Sequence, residues 1–173
     1  MRKLRRVVGL IGAAGVGIGL ALGLGAGVGA DPGTVMKFDT MAPVTGPYVG
    51  TANPVRGVAG GGLPWMITNG RGILQADGHI VVHVRGLVLA KTAPVPPALQ
   101  GTNPIADFKA VVSCQTTSAG AAAVSNVESG QFPASADGNS NIDDQVTLPT
   151  PCIAPIVFVT SPAGAWFAAT GAG

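Results

Sequence analysis

A 173-residue chain in which charged residues make up only 10% of the sequence, against roughly a quarter in a typical globular protein, must cover its surface mainly with Gly, Ser, Thr, Asn and Gln. The formal charge of +2 misleads, because four of the ten basic residues, Arg2, Lys3, Arg5 and Arg6, precede an apolar segment and the rest of the chain is net acidic. No run of Lys and Arg remains to grip nucleic acid or an anionic membrane surface, so neither is expected as a partner.

Residues 1–30 read as a secretory signal peptide: a basic start, an apolar glycine-studded stretch, and Val28-Gly29-Ala30 ahead of a cut between Ala30 and Asp31. The apolar run from Val7 to Val28 is long enough for the alternative, an uncleaved N-terminal membrane anchor. Its many glycines each cost a helix about 1 kcal/mol relative to alanine, which favours cleavage. Arg5-Arg6 fits ordinary n-region charge as well as the twin-arginine route. The expectation is a secreted protein that has no membrane contact once the signal is removed.

Beyond the cut, residues 31–54 read as an extended arm and residues 55–173 as one domain large enough to bury its own core. Short Val/Ile-rich runs separated by Gly, Pro, Asn and Ser give candidate strands at Val55–Ala59, Trp65–Thr68, Gly72–Ala76, His79–Ala90, Phe108–Cys114, Ala122–Glu128, Ile142–Leu148, Ile156–Thr160 and Ala165–Ala169. No long apolar stripe of helical period interrupts them. The fold class is therefore all-β: an antiparallel two-sheet β-sandwich, immunoglobulin-like in shape, with one inter-strand disulfide.

Asp77-Gly78 between two such runs predicts a type I′ hairpin. That register sets Ile73 against Val82 and Gln75 against Ile80 on the core side, with Val84 further along it. The other side then carries Leu74, His79, Val81, His83 and Arg85, a mixed face suited to a partner. Gly86 marks an irregularity before Leu87. Ile156-Val157-Phe158-Val159, apolar at every position, reads as a central strand buried on both sides. Lys91–Asp107, with four prolines, reads as a long crossover loop.

Cys114 and Cys152 are the only cysteines, an even count in an oxidising compartment, and are expected to form a disulfide. Closing a loop of about 39 residues would stabilise the fold by about 4 kcal/mol in the chain-entropy description. Asp137, Asn139, Asn141 and Asp143 alternate as oxygen ligands for calcium would. A helix-loop-helix calcium loop would need Gly at Ile142 and Glu at Leu148, so a solvated turn is the competing reading and no cofactor is expected. Asp144 shares the face of Ile142 and Val146, which places it at a sheet margin or accepting a hydrogen bond from a neighbouring loop. His79 and His83, four residues apart in a strand, lie about 13 Å apart and cannot share one ion.

Catalytic motifs are missing: Gly138-Asn139-Ser140-Asn141 starts like a nucleophile elbow but ends at Ile142 rather than Gly, and there is no HExxH, GK[ST] or CxxC pattern. The segments Phe38–Gly50 (FDTMAPVTGPYVG), Val84–Leu89 (VRGLVL) and Pro151–Val159 (PCIAPIVFV), with Arg56-Gly57 to Leu63-Pro64-Trp65, resemble a group of exported bacterial proteins of unknown function. The resemblance implies a small secreted β-domain and carries no catalytic residues. The expected function is a non-catalytic extracellular or envelope-associated module that binds a protein, an envelope component or a glycan. The alternative is a small extracellular hydrolase whose carboxylate or histidine site the sequence does not identify.

Overall fold

The computed structural model describes residues 33–171; the export-signal reading of residues 1–30 lies outside the described residues. All regular structure there is β apart from two single 3-10 turns, Gly46–Tyr48 and Pro97–Leu99. The strands are β1 (Thr34–Phe38), β2 (Ala42–Pro43), β3 (Trp65–Met66), β4 (Asn69–Gln75), β5 (His79–Arg85), β6 (Val88–Leu89), β7 (Asp107–Ser118), β8 (Ala121–Glu128), β9 (Phe132–Pro133), β10 (Ser140–Gln145), β11 (Ile153–Thr160) and β12 (Trp166–Ala169).

Two antiparallel sheets form a sandwich. One has the order β1-β4-β5-β10; the other runs β2-β12-β11-β7-β8, with β9 also paired to β7, while β3 and β6 form a separate ribbon. Between the sheets pack Leu74, Ile80, Val82, Val84 and Ile142 from the first, and Phe108, Ala110, Val112, Val157 and Val159 from the second, all fully buried. Trp65 closes this core by stacking on Phe167 at 4.0 Å between ring centroids, with Phe108 edge-on to Phe167 at 5.9 Å.

The reading of residues 31–54 as a separate arm is corrected. Thr34–Phe38 is an edge strand of the first sheet and Ala42–Pro43 pairs with β12 in the second, so this segment crosses from one sheet to the other. Room for it comes from glycine: a Cβ on Gly72 would lie 2.6 Å from the Phe38 ring, and one on Gly70 would lie 2.7 Å from Met41 Cγ. Val55–Ala59 is likewise no strand but a tight turn closed by Val55 and Val58. The run His79–Ala90 is broken at Gly86, whose φ of +63° turns the chain out of one sheet so that Val88–Leu89 pairs with Trp65–Met66.

The hairpin register is also corrected. Leu74 opposes Ile80, Ile73 opposes Val81 and Arg71 opposes His83, one residue away from the two-residue turn. Gly78 has φ +92°, Asp77 is not in the left-handed region, and Gly78 N–H donates to Gln75 O at 3.0 Å. These are the features of a three-residue loop built on a type I turn with Gly as the bulge. A type I′ turn does occur, at Ala119-Gly120, where both φ values are positive (+49° and +80°) between the paired Ser118 and Ala121.

The centre of the second sheet is buried on both faces: of the apolar run Ile156–Val159, Val157, Phe158 and Val159 are buried, as is Thr160 beyond them, while Ile156 is half-buried. Residues 45–61 supply the cover. Gly60 bridges the edge of β12 at Trp166, the Arg56 guanidinium donates to Ser113 O at 2.9 Å, and Asn126 Nδ2 donates to Arg56 O at 3.1 Å. Under this cover Lys109 reaches Glu128 in an ion pair. Cys114 and Cys152 are bonded, with Cα atoms 4.9 Å apart, tying β7 to the start of β11 within the same sheet.

Candidate functional face

Among the described residues no comparable cover lies over the four-stranded sheet, whose outward positions follow from the register. One row across it is Lys37, Ile73, Val81 and Asp143; the next is Arg71, His83 and Asn141; Gln75, His79 and Gln145 flank one side, and Asn69 and Arg85 the other. Strict alternation in β5 produces this face: Ile80, Val82 and Val84 turn inward while His79, Val81, His83 and Arg85 turn out.

Hydrogen bonds fix the half of the face next to β10. His79 Nε2 donates to Asp143 Oδ1 at 2.8 Å, and the His79 backbone N–H donates to Asp77 Oδ1 at 2.9 Å, which anchors the turn. His83 Nδ1 and Arg85 Nη2 both donate to Asn141 Oδ1 at 3.0 Å, and Arg85 Nη1 also reaches Val84 O at 2.7 Å. Arg85 is thereby folded onto the sheet, its donors largely occupied.

The half next to β1 is different. Lys37, Phe38, Asp39, Arg71, Gly72, Ile73, Val81 and His83 surround an open cleft of about 240 Å³. Its floor is apolar, from Ile73 and Val81, and its rim carries two cations and one carboxylate. Lys37 and Arg71 are exposed, and neither forms an ion pair among the described residues. Such a cleft can hold an acidic group by charge while an apolar body rests on the floor.

Of the residues read from sequence as one face, His79, Val81, His83 and Arg85 do share the outward side of β5, but Leu74 does not belong to it. The three-residue loop turns Leu74 inward, and it is fully buried. The structure does not gather Asp137, Asn139, Asn141 and Asp143 around one point. Asn139 Oδ1 accepts from Gly86 N–H at 3.1 Å, Asn141 is taken by His83 and Arg85, Asp143 by His79, and Asp137 is exposed in the preceding turn. The alternation that suggested ligands joins a turn, which holds Asp137 and Asn139, to the outward positions Asn141 and Asp143 of β10, and these side chains do not converge. Asp144 lies at the sheet edge and accepts from Gly130 N–H at 2.7 Å.

Sequence reading missed Lys37, Asp39 and Arg71, since it placed the first two in the arm and left Arg71 outside any strand. The signal was the alternation Asn69-Gly70-Arg71-Gly72, where glycines at inward positions make space for Phe38 and Met41. Compared with protein-family models, with curated proteins and with solved structures, the chain finds no match, so the functional reading rests on this geometry.

Proposed function

We propose that the protein is an exported, non-catalytic binding module that engages an acidic partner through the outer face of its four-stranded sheet. The observation that carries this reading is the cleft between β1, β4 and β5, where Lys37 and Arg71 have no ion-pair partner among the described residues and flank an apolar floor of Ile73 and Val81. The remainder of the chain beyond residue 30 is net acidic and poor in charge, so two cations beside one cleft form a local exception. The disulfide supports an oxidising compartment, in keeping with the signal-like residues 1–30. Trp65 and Trp166 are buried in the core, leaving Tyr48 as the only exposed amphipathic aromatic, which weakens a stacking mode of sugar recognition.

The test is titration of the protein with poly-glutamate and with a sulfated polysaccharide, at low and at physiological salt. Binding that weakens with salt and falls about tenfold in the Lys37→Glu/Arg71→Glu variant supports the reading. Absence of binding to either polymer, or equal binding by the variant, refutes it.

A further inference from the structure

A second surface stands apart from the cleft. Five strands form the outer edges of the two sheets, and four of them are guarded against pairing with another strand, β9 by its two-residue length and Pro133. β1 is five residues long, with a bulge and Lys37; β2 is two residues with Pro43; β10 carries Asp143 and Asp144, the latter engaged by the loop at Gly130. Short length, proline, bulges and charge are the usual devices that keep an edge from pairing.

β8 has none of them over most of its length. It pairs with β7 through eight consecutive residues without a bulge, has no proline or basic residue, and bears one charge, Glu128, which Lys109 already neutralises. No hydrogen bond of the described residues satisfies its outer backbone edge. The outward row that ends there is Ile153, Gln115 and Val124, read across β11, β7 and β8. Ile153 and Val124 are 54% and 49% exposed, the two most exposed large hydrophobic residues described.

We propose that β8 pairs with β8 of a second copy of this chain, extending the larger sheet across a two-fold axis. Antiparallel pairing about an axis normal to the sheet keeps outward faces together and sets Val124 against its own counterpart. The row then reads Ile153, Gln115, Val124 and the same three in reverse, a self-complementary strip with Val124 against Val124 at its centre. Glu128 falls at opposite ends of the paired strands, so no like charges meet. This self-complementarity, together with a neutral strand, favours a second copy over a charged partner segment.

The experiment is sedimentation velocity of the full chain over a concentration series, beside Val124→Lys and two cysteine variants. The wild type dimerises reversibly, and Val124→Lys, which opposes two like charges at the axis, weakens the dimer about tenfold. Unchanged thermal unfolding of that variant at low concentration establishes that the monomer is intact. Under oxidising conditions Val124→Cys forms a covalent dimer, since opposed Cα atoms lie within disulfide reach, while Ala122→Cys, which opposes Asn126, does not. A wild type that is monomeric at its highest soluble concentration overturns the proposal and leaves the edge to a different extended segment. A dimer indifferent to Val124→Lys, or equal cross-linking at both cysteines, overturns it too.

Discussion

Strands β5 and β11 are both rich in β-branched residues and both sit inside their sheets, yet one alternates buried and exposed positions while the other is buried at every position from Val157 to Thr160. The difference lies outside the strands. Residues 45–61 fold over the larger sheet and leave the outer face of the smaller one in solvent. Hydrophobic pattern therefore reports how many faces of a strand are covered, and the uncovered face is where polar side chains can be spent on recognition.

The contrast can be broken most severely at the disulfide. Cys114→Ser removes the cross-link and places a hydroxyl in a fully buried site, and should cost about 5 kcal/mol; oxidised wild type and variant melting at the same temperature would contradict it. Phe158→Ala empties the layer between the covering loop and the larger sheet. A loss of about 4 kcal/mol in denaturant unfolding is expected, and a loss below 1 would mean that the loop is not a real cover. Gly60→Ala tests the cover itself, since its Cβ would lie 2.0 Å from Tyr48 O. It should cost about 2 kcal/mol and raise hydrogen exchange in residues 45–61 before the core strands respond. On the uncovered side, Asp143→Asn breaks only the exposed His79 pair. Its effect on stability should stay below about 1 kcal/mol, and a larger value would show that this face is more than a solvated surface.

Where sequence and structure agree, one local cause decided the outcome. Alternation fixed the inward set of β5, a continuous apolar run fixed β11, and a single pair of cysteines fixed the cross-link. The register of β4 depended instead on whether the turn held two residues or three, and adjacent apolar residues Ile73 and Leu74 allow either choice. The choice moved Leu74 from the surface to the core and brought Arg71 opposite His83. The arm was lost for a different reason: Thr34–Phe38 carries no strong strand pattern by itself, and its place is set by hollows at Gly70 and Gly72 more than thirty residues later. The cleft draws residues from both misread segments, which is why its cationic rim did not emerge from the sequence.

The pairing of Ala42–Pro43 with Ala168–Ala169 joins the first strand of the larger sheet to its last. That sheet cannot be completed until nearly the whole chain is available, and such long-range closure makes folding slow relative to chains built from local contacts. A chain still short of Trp166–Ala169 has no finished larger sheet, and its assembly waits for those last residues to arrive.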